Sequence, residues 1–574
     1  MTTSTDIDPR KNANELLARI GWTALICATL YVCYFSHLGA IGFVGPDEPR
    51  YAWIARDMAE TGDWVTPRLY GKPWFEKPPL YYWGAAICFK IFGVSEAAAR
   101  LPSAISALLA TLAMAWLAWR IYGAETVRWL LLMLPTTVGM IGFSHAAATD
   151  MPFSAMLTIA MVCAAVIVGL VPDESSRDGA QRAAPLQGET HAARRRWLAL
   201  ILFGFSLGLA VLAKGPAGII LCGGAVLFWA LFTKRWRDAL RLCHPAAIAA
   251  FCLTALPWYI LCARRNPDFF PIFIIEHNFK RYLTPEFQHI QPFWFYLPIL
   301  LAALLPWSIF LVPVISDARK AFRDCLDASR GIFFISFAIF PTIFFSLSRS
   351  KLPGYILPAV PPLVLLCSDS VKKMLVTNSR VTRAILGSSA MAAIVLVALA
   401  IRYSLHLREL ALFSALIYDA PMNIGLLRLL GFFLGLSALV LVLLNRSRVG
   451  LVCTAVALVA VLGSATLANF DLALSPRRAS EAIATLATGE VEVLSCGVPR
   501  PAIYGFNFYL RHEIPEWRLH RSEGRAIIVV GQPSCLDAIK NANYGLRAEV
   551  DFPKWTLVEV EASLAAHTPS SGKP

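Results

Sequence analysis

Apolar residues run through this chain in blocks of about twenty, each long enough to cross a hydrocarbon layer as a helix that satisfies its own backbone. The blocks predict spans near residues 16–37, 101–121, 127–146, 152–171, 197–213, 217–233, 245–263, 294–314, 331–347, 355–370, 384–401, 424–444 and 450–470, about 13 helices. Two stretches break the rhythm. A loop at 38–100, after the first span, is dense in charge and proline, and hydrophobicity falls again from 471 onward. In that tail, strand-like runs at 491–494 and 526–530 alternate with helix-like ones, the pattern of a small α/β domain. The expected fold is a polytopic α-helical membrane domain over 1–470 followed by an α/β domain over 471–574. No internal repeat of the kind many transporters show is visible.

Composition supports the membrane reading. Of 574 residues 57% are hydrophobic and 16% charged, where a soluble domain carries roughly a quarter charged residues. The net charge of +14 does not point to nucleic acid, because topology accounts for most of it. Arg194-Arg195-Arg196, Lys234-Arg235-Trp236-Arg237, Arg319-Lys320, Lys372-Lys373 and Arg446-Ser447-Arg448 occupy one set of alternate loops. Positive residues mark the cytoplasmic side, and the N-terminus, with Arg10, Lys11 and Arg19, belongs with them. An odd number of spans then sends loop 38–100 and the tail outward. No cleavable signal peptide is expected, since the polar start is not followed by an apolar run with a small-residue cleavage site. The 13 cysteines show no metal-ligand spacing. Most are expected to be small apolar fillers of spans. Cys496 and Cys535 alone fall in the outward tail, where an oxidising compartment allows a disulfide; spacing does not decide whether they pair.

The candidate chemistry sits on the outward side. Gly45-Pro46-Asp47-Glu48-Pro49-Arg50-Tyr51 opens the first loop, and Lys72-Pro73-Trp74-Phe75-Glu76-Lys77-Pro78-Pro79 follows within it. Tyr51, Ile54, Ala55 and Met58 form an amphipathic stripe. With Arg50 and Arg56 beside it, that helix is expected to lie flat on the membrane. A second surface segment runs from Leu80 through Trp83, Ile87 and Ile91, and loop 264–293 carries Phe269, Phe270, Phe273, Phe279 and Tyr282 among cations. Together these are expected to frame a cavity at the outer interface.

Asp47 has two readings: a helix N-cap, or one carboxylate of a polar site to which Asp150 contributes another. Lys77 is held stiff by the prolines after it. Lys77, Lys214, Arg281, Arg349 and Lys351 could each snorkel to headgroups. Several cations against hydrophobic walls suit a lipid-linked phosphate better. His277 fits a phosphate donor, a metal ligand or a structural role, and no second histidine stands at ligand spacing. Glu96 and Arg100, at i and i+4, are expected to pair on a helix face.

These strings resemble a known family. Pro46-Asp47-Glu48-Pro49-Arg50-Tyr51, Phe75-Glu76-Lys77-Pro78-Pro79-Leu80-Tyr81-Tyr82-Trp83, Glu96 through Arg100-Leu101-Pro102-Ser103, Leu212-Ala213-Lys214-Gly215-Pro216 and Lys351-Leu352-Pro353-Gly354-Tyr355-Ile356-Leu357-Pro358 are similar to the bacterial aminoarabinose transferases, of the GT-C glycosyltransferase superfamily. The resemblance implies an inverting transfer of 4-amino-4-deoxy-L-arabinose from undecaprenyl phosphate to lipid A phosphate, at the periplasmic face of the inner membrane, giving resistance to polymyxin. Asp47 resembles that family's catalytic carboxylate. Lys77 as a second catalytic residue, and Arg50, Lys77, Lys351, Arg281 and Lys214 on the donor phosphate, are expected because cations there oppose the charge that grows on the leaving phosphate. Asp150, Tyr51, Glu76 and Tyr355 are expected at the sugar or acceptor. No organic cofactor is implied, and a divalent cation stays open, with no site for one shown by the sequence. A protein O-mannosyltransferase-like enzyme and a polytopic lipid or sugar transporter are the alternatives. The transporter reading expects ionisable groups near mid-bilayer, whereas these charges cluster at one face.

Overall fold

The computed structural model describes residues 9–172, 185–280, 291–321, 325–377, 446–463, 474–487, 491–517, 525–541 and 545–561, with residue 471 and short pieces between 383 and 444. It divides into two compact units: residues 1–36, 74–81 and 100–465, and residues 37–73, 82–99 and 466–574. Most of the loop 38–100 thus groups with the tail.

The first unit is a bundle of apolar helices. Among the described residues seven helices are long and apolar enough to span a membrane, and nine if each of two bent pairs is one span. The expected 13 is therefore not reached. The predicted spans 217–233 and 450–470 correspond to helices Ala217–Thr233 and Ser447–Gly463, each of 17 residues. Those at 384–401 and 424–444 lie mostly outside the described residues.

Two helices form the centre. Asp150–Ile167 and Pro353–Thr377 bury 83% and 89% of their apolar windows, as expected of helices hydrophobic all round. Their polar side chains turn back on their own backbone: the Thr158 hydroxyl donates to Ser154 O at 2.8 Å and that of Ser368 to Val364 O at 2.8 Å, so no donor is stranded. The bent pairs, Ala124–Met133 with Val138–Ser144 and Tyr296–Ala303 with Ser308–Ser316, break by 61° and 111°. Backbone freed by such a break needs partners inside a bilayer. Each break supplies the other: Val138 N donates to Leu305 O at 3.0 Å and Trp307 Nε1 to Thr136 Oγ1 at 2.9 Å.

Helix Pro185–Lys214 meets Pro245–Arg265 closely through Gly204 and Gly208. A Cβ at Gly208 would stand 2.7 Å from Thr254 Cβ, and one at Gly204 2.9 Å from Ala250 Cβ. Small residues at this spacing let two backbones pack where no hydrophobic effect drives them together. Gly208→Leu is expected to destabilise the solubilised protein by about 1–3 kcal/mol. Gly223→Leu, where a Cβ meets nothing within 4 Å, should leave the melting temperature nearly unchanged. Equal melting temperatures for the two variants would refute the packing argument.

In the second unit the tail forms a four-stranded sheet in the order β3-β4-β6-β5, after a short ribbon of β1 (Arg68–Leu69) and β2 (Lys72–Pro73). The strands are β3 (Glu492–Cys496), β4 (Arg525–Val530), β5 (Gly545–Asp551) and β6 (Thr556–Glu561). β3 runs parallel to β4, and the other pairs are antiparallel. Alternation decides the two faces. Val493, Ile527, Val529 and Leu557 pack with helices Arg477–Leu486 and Arg500–Leu510 through Ile483 and Phe506. Leu494, Ile528, Val530, Val558 and Val560 pack with Ile539 of helix Pro533–Asn541 on the other side. The disulfide Cys496–Cys535, with Cα atoms 5.9 Å apart, ties β3 to that helix. The buried cysteines of the first unit, such as Cys163, Cys222 and Cys367, are core fillers.

The amphipathic stripe of helix Asp47–Thr61 corrects an expectation. Tyr51, Ile54, Ala55 and Met58 are at most 2% exposed, and the helix packs on Arg500–Leu510 of the same unit. Protein, not lipid, covers the stripe, so this helix does not lie with its apolar face in the membrane.

Candidate active site

The second unit presents the Asp47 centre. Asp47 is the first residue of its helix and does not act as the N-cap; that position is Pro46, with no side-chain cap bond. Its carboxylate, 47% exposed, instead accepts from Arg50 Nη2 at 2.5 Å. The neighbouring Glu48 accepts from Val44 N at 2.8 Å and fixes the turn before the helix. The Arg50 side chain is only 7% exposed. Its guanidinium lies over the rings of Tyr51 and Tyr504, 5.3 and 5.7 Å from their centroids. Tyr504 in turn stacks on Tyr70, with centroids 6.4 Å apart, and Asn507 Nδ2 donates to Tyr70 OH at 3.0 Å. Burial pushes the Tyr70 phenol up, so it stays neutral. The result is one fixed cation held by aromatic faces and one accessible carboxylate.

Sequence spacing missed several members of this region. Tyr504 and Asn507 lie more than 400 residues from the loop, on a helix with no motif of its own. Glu96 binds Arg477 Nη1 at 3.2 Å and accepts from Tyr509 OH at 2.8 Å, distant partners that the local i,i+4 reading did not foresee. Arg477 also binds Asp471, fully buried, at 2.6 Å, and Gly42 N donates to Asp471 at 2.7 Å. This network anchors the start of the loop within its unit.

The first unit presents a second centre. Asp150 opens a central helix, and its carboxylate pairs with Lys214 Nζ at 2.5 Å. Lys214 also stands over the rings of Tyr355 and Phe153, at 4.4 and 5.5 Å. Gly354 makes room: a Cβ there would lie 2.5 Å from Asp150 Oδ1. Asp150 and the two family-like strings around Lys214 and Lys351 to Pro358 therefore meet. Lys351 is buried and donates to Ser348 O at 2.5 Å and Gln291 O at 3.0 Å. Burial first, and the nearby Arg349 charge second, lower its pKa. Arg349 itself is exposed.

Glu76 and Lys77, in the same unit, stand 3.8 Å apart with side chains 10% and 12% exposed. Phe75 beside them meets Phe269 edge-on at 5.2 Å, and Phe269 stacks on Phe273 at 5.5 Å. Of the aromatics expected to frame a cavity, Phe269 and Phe273 are therefore buried packing residues, and Phe270 is exposed. Arg281 and Tyr282 lie outside the described residues, as does the Phe279 side chain. His277 is half-buried on the π-helical segment Pro271–Lys280. Among the described residues no group of three or more His, Cys, Asp or Glu is arranged to hold a metal ion.

Comparison with known proteins now adds to this geometry. Residues 21–273 match the family described as Dolichyl-phosphate-mannose-protein mannosyltransferase. The chain is 31% identical over 385 residues to the undecaprenyl phosphate-alpha-4-amino-4-deoxy-L-arabinose arabinosyl transferase of Edwardsiella ictaluri, covering 66% of this chain and 65% of that protein. The enzyme of the same description from Pseudomonas aeruginosa is 32% identical over 360 residues, 62% of this chain and 61% of that one. The aligned part thus spans somewhat less than two thirds of these relatives. The crystal structure of ArnT from Cupriavidus metallidurans bound to undecaprenyl phosphate superposes with a TM-score of 0.71 at 23% identity, over 94% of this chain and 98% of that one. The chain is thus similar to the arabinosyl transferases over somewhat less than two thirds of their length. It is a polytopic α-helical membrane protein with the fold of that ArnT structure and a C-terminal β-sheet region.

Proposed function

We propose that this chain is an inverting glycosyltransferase that moves 4-amino-4-deoxy-L-arabinose from undecaprenyl phosphate to a lipid A phosphate at the periplasmic face of the inner membrane. A cationic sugar on lipid A weakens its attraction for polymyxin and other cationic peptides. The observation that carries the reading is the fold likeness to a transferase solved with undecaprenyl phosphate, over nearly the whole of both chains, joined to sequence similarity to arabinosyl transferases. We place the transfer chemistry in 1–470 with periplasmic loops 38–100 and 264–293, and propose 13 crossings. The two 17-residue helices and the apolar stretches 384–401 and 424–444 support that number.

In the reaction a lipid A phosphate oxygen attacks the anomeric carbon, the bond from that carbon to the donor oxygen breaks, and undecaprenyl phosphate leaves with the electron pair. Negative charge grows on the departing phosphate, so cations aimed there stabilise the transition state more than the ground state. Lys77 takes this role, supported by its low exposure and stiff proline-flanked backbone. Arg50, Lys351, Lys214 and Arg281 are assigned to the donor phosphate. For Lys214 and Arg50 the carboxylate partners Asp150 and Asp47 moderate that charge. Tyr51, Glu76, Tyr355 and Asp150 are assigned to the sugar or acceptor, with Asp150 suited to the amino group.

The acceptor phosphate has a second pKa of about 6, so it is already anionic at neutral pH and needs little base. Asp47 then acts by alignment and by opposing positive charge at the sugar carbon. Asp47→Asn is expected to lower transfer about a hundredfold. The melting temperature should fall only slightly, since the Asp47 side chain is 47% exposed, the substituted amide keeps an oxygen to accept from Arg50, and the buried guanidinium stays over the rings of Tyr51 and Tyr504. Activity falling only in step with protein level would overturn this role. The match to the mannosyltransferase family favours one second reading, in which a hydroxyl acceptor makes Asp47 a true base. Mass spectrometry of lipid A from cells with and without the protein tests the first reading: an aminopentose addition that depends on the chain is expected. Unmodified lipid A beside newly glycosylated protein would favour the second.

A further inference from the structure

One end of the first unit holds a cavity lined by none of the residues assigned to transfer. It lies where helices Ala124–Met133 and Ser447–Gly463 begin, beside residues 18–25 of the N-terminal helix. Its volume is about 490 Å³, and Trp22, Leu25, Glu125, Arg128, Trp129 and Arg448 are among its walls. Arg128 stands over the Trp22 ring at 5.6 Å, Trp22 meets Trp129 edge-on at 5.8 Å, and Arg448 pairs with Glu125 at 3.2 Å.

Three observations point to a phosphate-bearing occupant. Two helix N-termini open here, each with a partial positive charge and unsatisfied amides. Three buried donors here lack an acceptor among the described residues: the indole N–H of Trp129, which lines the cavity, and the hydroxyls of Thr126 and Ser447, each one residue from its lining. All three residues are at least 95% buried, where an unmet donor is costly. Finally, two arginines, Arg128 and Arg448, and one carboxylate, Glu125, line the cavity, and Arg19 and Arg446 flank the same chain segments.

The apolar remainder of the wall identifies the class. The N-terminal helix buries only 11% of its apolar window, leaving a surface for acyl chains directly beside the cationic cavity. We infer that the cavity binds the headgroup of an anionic glycerophospholipid, with phosphate oxygens at Arg128, Arg448 and the helix starts and acyl chains along the N-terminal helix. The Arg-rich loops place this end at the cytoplasmic leaflet. A zwitterionic headgroup would bring its own cation against Arg128 and Arg448, so net negative charge is selected.

The full-length protein, washed free of lipid in detergent and placed in nanodiscs, provides the test. Retention of phosphatidylglycerol against phosphatidylcholine is read by native mass spectrometry and by quenching of tryptophan fluorescence with spin-labelled lipid. Preferential retention of phosphatidylglycerol is expected. Arg128→Gln and Arg448→Gln should each weaken it about fivefold, and Glu125→Gln should tighten it. Arg237→Gln, an exposed arginine elsewhere, should change nothing. Equal retention of the two lipids, an unchanged affinity in the double arginine variant, or competition by inorganic phosphate as strong as by lipid would overturn the proposal.

Discussion

Lys77→Ala is expected to cut sugar transfer about 100- to 1,000-fold, the loss seen when one donor to a developing anion is removed. The side chain is 12% exposed, 3.8 Å from Glu76, and followed by Pro78-Pro79. A lysine so held has little freedom to lose on meeting a phosphate, which is the condition for preorganised stabilisation. Lys77→Arg should retain a measurable fraction of the activity, because charge persists while geometry changes. Both variants should reach the membrane at normal levels. Near-normal transfer by Lys77→Ala would remove Lys77 from the mechanism.

Lys214→Ala should produce the largest loss of stability. It strands the Asp150 carboxylate beside the backbone of Gly354 and removes the cation from over the rings of Phe153 and Tyr355. Breaking a buried pair on one side costs about 3–5 kcal/mol. The low end applies, because a fifth of the Asp150 side chain remains exposed. The double variant Lys214→Ala with Asp150→Asn should recover much of the melting temperature while remaining defective in transfer. Such recovery separates the pair's structural contribution from its chemistry. Equal melting temperatures for the single and double variants would show that the two charges do not depend on each other.

What the sequence disclosed follows the range of each interaction. Span-length apolar blocks and the apolar runs of β3 and β4 are local patterns and were legible, whereas β5 and β6 were not singled out. The Asp47–Arg50 pair lies three residues apart on one helix turn. Its components were visible, although the capping reading of Asp47 was not realised because Pro46 occupies that position. The stripe at Tyr51, Ile54, Ala55 and Met58 gave the helix correctly but not its neighbour. Periodicity identifies an apolar face without saying whether lipid or protein covers it. Asp150 and Lys214 were each singled out, but their pairing across 64 residues depends on how helices pack. The tight fit of Gly354 depends on it too. Tyr504, Asn507, Asp471 and Arg477 carried no local signal, because their partners are set by tertiary structure alone.

The most direct measurement is transfer by the purified full-length chain, given undecaprenyl phosphate-linked 4-amino-4-deoxy-L-arabinose and lipid A in detergent, with products read by mass spectrometry. Lipid A carrying one added aminopentose, inverted at the anomeric carbon, is expected, with release of undecaprenyl phosphate and loss of product in Lys77→Ala. Unmodified lipid A alongside a glycosylated Ser/Thr peptide acceptor, from a well-folded preparation, would contradict it.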